Sequence, residues 1–187
     1  DHRIIRKPRH HLLSLRSASR STSFTQSATE TLDALLAALE GTALAQALRG
    51  SRWGYAAVNA AHIFAIALLI GSVVPLNLRL LGVWRGISRE AVVRVLAPVA
   101  ASGLILALVT GPLLFSVRAR EYSGVESLQL KLIFIAAGVL STLALCWSHG
   151  FLLKDAPRAR LAGHAILSTV CWLGALACGR LIAFAGD

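Results

Sequence analysis

Residues 53–81 read WGYAAVNAAHIFAIALLIGSVVPLNLRLL, and this stretch decides the fold. Its only charged side chain is Arg79, two residues from the end. The run exceeds the ~20 apolar residues that a helix needs to cross hydrocarbon. Three more spans of comparable character follow: Ala91 to Val117, Leu128 to Leu153 and Leu161 to Phe184. The connections Gly82–Glu90, Arg118–Ser127 and Lys154–Arg160 are short. Short connections make sequential helices antiparallel neighbours, so the sequence predicts an all-α, up-down-up-down four-helix membrane bundle. Trp53, Tyr55, Trp84 and Tyr122 near span ends fit an interfacial aromatic belt. Pro75, Pro98 and Pro112 fall inside spans, where membrane helices accommodate kinks.

Composition agrees. The 187 residues are 56% hydrophobic, with a mean hydropathy of +0.66, which is the profile of a polytopic membrane protein. The formal charge of +10 comes from Lys and Arg that flank the spans or crowd the N-terminus. That placement suits membrane topology and anionic lipid rather than nucleic acid. Cys146, Cys171 and Cys178 lie within spans without CxxC, CxxCH or zinc spacing, so they read as small core residues. No Met is present, so the chain as given does not start at an initiator residue.

Upstream of the spans, residues 1–29 hold Arg3, Arg6, Lys7, Arg9, Arg16 and Arg20, with no acid between Asp1 and Glu30. This is the pattern of a leader segment or of a flexible basic arm on headgroups or a partner subunit. His10 and His11 belong to that arm and read as solvated. Ser27 and Glu30 have capping-box spacing. Leu32, Leu35, Leu36 and Leu39 then share a helical face, Gly41 interrupts it, and Leu44 and Leu48 continue it. Residues 30–50 therefore read as an amphipathic helix lying in the interface, or as a docking helix for a partner. The bundle occupies 51–187. Loop charge leaves sidedness open: Arg85, Arg89, Lys154, Arg158 and Arg160 favour the far side as cytoplasmic, whereas counting the basic arm reverses the assignment.

Within the spans, His62, His149 and His164 are the residues that point to chemistry, because a membrane-embedded ionisable group is costly and usually functional. Imidazole is also a common ligand of haem iron and copper. His62 falls nine residues into the first span, His149 four before the end of the third and His164 three after the start of the fourth. That counting puts His149 and His164 at one level and His62 across the membrane from them. Small or polar residues accompany each: Tyr55 and Asn59 with His62; Gly138, Thr142 and Cys146 with His149; Ser168, Cys171, Ala175 and Cys178 with His164. Such stripes permit close helix packing, and they also leave room for a flat macrocycle. Haem b ligation by His149 and His164 is the expectation, although adjacent helices at ~8–10 Å would have to splay. At the level of His62 the expected neighbours are Thr110, Lys131, Cys178 and Arg180. Lys131 or Arg180 are candidates to pair with haem propionates, and Lys131 to act as a ligand. Asn77, Arg79 and Arg94 are candidates for the propionate role on the other side. Snorkelling to the interface accounts for these cations equally well.

The stretch from Asn59 to Gly82, NAAHIFAIALLIGSVVPLNLRLLG, resembles a family of bacterial four-helix membrane proteins near the copper-resistance D (CopD-like) and cytochrome b561-like groups. The resemblance covers about residues 50–185. It rests on His62, the Asn77–Leu78–Arg79 end of the first span, His149 and His164. It implies haem b binding or copper handling in a bacterial inner membrane. The lack of Met departs from Met-rich copper surfaces, since thioethers are the ligands that suit Cu(I).

The leading expectation is a b-type haem electron-transfer subunit that works between a quinone or soluble donor and a partner on one membrane face, assembled with partner protein subunits or as a homo-oligomer. The alternatives are a structural subunit that anchors a larger complex, and a metal-ion or proton pathway. The last lacks intramembrane carboxylates, because Glu90, Glu121, Glu126 and Asp155 lie in loops or at span ends. No nucleophile elbow, acid–base pair or phosphate loop argues for a stand-alone enzyme.

Overall fold

The computed structural model describes residues 30–153 and 155–184. The basic arm, with the Ser27 half of the expected capping box, lies outside them. Among the described residues seven helices are formed: α1 (30–40), α2 (Ala43–Gly50), α3 (Arg52–Leu80), α4 (Arg89–Val117), α5 (Ala119–Ser123), α6 (Glu126–His149) and α7 (Arg158–Phe184). Helices α3, α4, α6 and α7 are long and apolar enough to cross a membrane. The chain is an all-α integral membrane protein built on a four-helix bundle.

The helix ends follow from local chemistry. Ser51 and Ser88 each turn a side-chain oxygen onto a backbone N–H, of Gly54 at 3.0 Å and Ala91 at 3.1 Å, and so start α3 and α4. The interfacial segment is two helices rather than one. Gly41 and Thr42 break it, with the Thr42 hydroxyl donating to Leu39 O at 2.8 Å while its oxygen accepts from Ala45 N. The third span ends at His149, four residues earlier than the hydropathy suggests, because Gly150 takes a positive φ of 69°. The fourth begins at Arg158, three residues earlier.

Packing runs in the order α4–α3–α7–α6, with α3 and α7 central and α4 and α6 on the flanks. The second and third spans are therefore consecutive in the chain without being packed partners. Large apolar side chains such as Ile63, Ile105, Ile133 and Leu140 point outward, as lipid-facing residues do. Lipid is as apolar as Leu, so close approach holds the helices together. A Cβ on Gly103 of α4 would stand 2.7 Å from Leu69 N and 2.8 Å from Ala65 O of α3. Between α6 and α7, Trp172 lies against Gly138, and the Phe134 ring fills the space beside Gly174. Toward the α3 C-terminus, Leu80, Val93, Leu145, Leu153, Leu161 and Ala165 form a buried cluster.

Charged contacts fasten α1 and α2 to the bundle. Arg120 of α5 donates its backbone N–H to Glu40 at 2.9 Å and its guanidinium to the same carboxylate at 3.2 Å. Arg49 donates to the Val117 carbonyl at the end of α4. Leu36, Ala45 and Leu48 are buried, while Leu32, Leu35, Leu39 and Leu44 stay exposed, leaving an apolar face available to lipid.

Two outcomes follow. Gly103→Ala drives a methyl into backbone and lowers stability by about 1–3 kcal/mol, whereas Gly71→Ala, with nothing near its Cβ, leaves thermal unfolding in detergent almost unchanged. The backbone hydrogen bond from Arg120, and then its positive charge, hold Glu40 below its ordinary value of 4.5. The paired form is the carboxylate, so this contact is intact above pH 4.5 and is lost as pH falls through the lowered native value. Hydrogen exchange at the α1–α5 junction will accelerate over that acidic range, and Glu40→Gln will remove the pH dependence.

Candidate functional site

His62 sits on the α3 face that meets α4. Its Nδ1 lies 2.8 Å from Thr110 Oγ1, and the Thr110 hydroxyl in turn donates to Leu106 O at 2.7 Å. A hydroxyl has one hydrogen. When that hydrogen is on the Leu106 carbonyl, Thr110 accepts from His62, and the imidazole proton is then on Nδ1 with Nε2 an acceptor. Gly111 lets the ring lie close to α4, for a Cβ there would be 3.3 Å from His62 Cε1.

Beside this imidazole is a cavity of about 300 Å³ lined by all four spanning helices. Its walls are apolar, with Ile66, Leu69, Leu104, Phe115, Ile135 and Trp172 prominent among them. Two polar side chains line it with ionisable groups, His62 and Lys131. The Lys131 stem runs along α7, where a Cβ on Gly179 would lie 3.2 Å from Nζ. No ion pair to Lys131 is formed among the described residues. A mostly apolar pocket with a few convergent polar groups is the form of a small-molecule site, and this volume lies at the lower end of the usual ~300–1,000 Å³.

The other candidates are placed differently. Nδ1 of His164 lies 2.8 Å from Ser141 Oγ, whereas His149 Nε2 is 3.2 Å from a guanidinium nitrogen of Arg160. Ser141 precedes His149 by eight residues on α6, about 12 Å of helix. His149 and His164 are thus not level, because α6 ends and α7 begins earlier than hydropathy implies. Between them the bundle is filled by Leu145, Leu153, Leu161 and Ala165, each at most 5% exposed. In this packing the residues do not fit a haem held between the two rings.

Asn77, expected at a cofactor's edge, is instead 1% exposed and ties α3 to α7, donating to Ser168 Oγ and Thr169 Oγ1 at 3.1 Å each. Its Oδ1 has no hydrogen-bond partner among the described residues. Arg79 donates to Ile87 O at 2.8 Å and braces the α3–α4 loop. Arg94 and Arg180 are exposed. Cys171 and Cys178 are buried free thiols, and Cys146 is a partly buried one. Among the described residues, no group of three or more His, Cys, Asp or Glu is disposed to hold a metal ion.

Depth counting had put Thr110 and Lys131 beside His62. The cavity between them was not legible, since its existence depends on which helices pack together. Comparison with known proteins adds nothing to this geometry: no family model, curated protein or solved structure matches the chain.

Proposed function

We propose that the chain is a membrane-embedded electron-transfer subunit that binds a quinone-class molecule from the bilayer in the His62–Lys131 cavity. The observation that carries this reading is an apolar cavity, lined by all four spanning helices, with one imidazole and one lysine side chain in its wall. A quinone head is a small flat ring with oxygen at its edges. Its ring suits Ile66, Leu104, Ile135 and Trp172, one oxygen accepts from the Lys131 side chain, and the other, when reduced to a hydroxyl, donates to His62. The apolar tail remains in lipid, which the flanking positions of α4 and α6 leave accessible. A bacterial inner membrane is the location this reading proposes, in line with the resemblance of the first span. The haem expectation is not carried by this packing.

A structural reading also has support, since the braced α1–α2 pair presents exposed Leu32, Leu35 and Leu39 beside the bundle. It predicts that deleting residues 1–48 breaks assembly of a larger complex while the cavity variants are silent.

The full chain in lipid nanodiscs, titrated with a photoreactive decyl-benzoquinone, tests the proposal. Saturable labelling is expected on α3, α4 or α6 peptides that line the cavity. Lys131→Met should weaken binding about tenfold or more, the value of one hydrogen bond to a charged group. Non-saturable labelling, or labelling indifferent to Lys131→Met, overturns it. A Soret band abolished by His149→Ala or His164→Ala would establish the haem reading instead.

A further inference from the structure

The Thr110 hydroxyl does more than hold the His62 ring. It is engaged as a donor to Leu106 O, so it offers His62 only an acceptor. Neutral imidazole carries one N–H, and that N–H is used at Nδ1. The cavity is lined by His62 and Lys131, so the imidazole nitrogen left for a ligand, Nε2, is an acceptor, and the Lys131 side chain supplies N–H donors.

Oxidised and reduced quinones differ in this respect. A quinone has carbonyl oxygens, which only accept. A hydroquinone has hydroxyls, which donate as well as accept. Both forms satisfy Lys131. Only the hydroquinone satisfies Nε2 of His62, whereas a carbonyl placed there sets two acceptors against each other in an apolar chamber. Resting on the quinone reading above, we propose that Thr110 is a positioning residue that fixes His62 as an acceptor and makes the site selective for the reduced form of its ligand. Thr110 acts through His62 and touches no ligand itself. Gly111 contributes by holding the ring against α4.

One mismatched buried hydrogen bond corresponds to a preference of about tenfold. Tenfold tighter binding of the hydroquinone raises the potential of the bound two-electron couple by about 30 mV over the free couple.

The test compares decyl-benzoquinone with its hydroquinone, each titrated anaerobically against the full-length protein in nanodiscs. The wild type should bind the hydroquinone about tenfold more tightly. Thr110→Val removes the acceptor, frees Nδ1 from its partner and should bring the two affinities together. Thr110→Ser keeps the hydroxyl and should restore the preference, an outcome that a merely space-filling role for Thr110 would not give. Equal wild-type affinities overturn the inference while leaving the quinone reading intact, and they decide the matter even if Thr110→Val fails to fold. A preference undiminished in Thr110→Val also overturns it. Failure of both probes to bind the wild type overturns the underlying reading.

Discussion

The rest of the structure depends on the approach of α4 to the backbone of α3 at Gly103. Any side chain there would strike Leu69 N and Ala65 O, so glycine sets the distance and rotation of the two helices. The same faces continue upward. Thr110 is seven residues beyond Gly103 on α4, and His62 is three and seven residues before Ala65 and Leu69 on α3. At helical spacing, these positions fall on the faces already in contact. The hydrogen bond between His62 and Thr110 follows from that crossing, and so does the orientation of the imidazole at the cavity.

Lipid surroundings explain why so much rests on so few contacts. Burial of apolar surface drives association weakly when the solvent is itself hydrocarbon, and most large apolar side chains here face outward. What remains is interlocking shape and polar bonds across helices. Gly103 serves the first pair of spans, Trp172 on Gly138 and Phe134 at Gly174 serve the last, and Asn77 with Ser168 and Thr169 joins α3 to α7. Among the described residues the flanking helices α4 and α6 have no comparable tie, and both line the cavity.

The spans were legible in the sequence because hydrocarbon thickness imposes a length and a polarity on each. The level of Thr110 and Lys131 relative to His62 was legible as well, since helical rise converts position into depth. Helix ends were less so. Gly150 stops α6 early and Arg158 starts α7 early, and those small shifts separate His149 from His164, which hydropathy had placed level. The partner of each polar residue was not legible. Asn77 and Arg79 looked alike as cofactor contacts near one span end, yet one locks two helices together and the other braces a loop. Pairwise packing, which no single-chain periodicity encodes, made that difference.

The central claim is that the His62–Lys131 cavity holds a quinone-class molecule in the membrane. The most direct measurement is mass spectrometry of the small molecules retained by the protein when it is excised from its native membrane in polymer discs. Quinone is expected at a ratio to phospholipid well above that of the surrounding membrane. A ratio equal to that of the bulk membrane would contradict it.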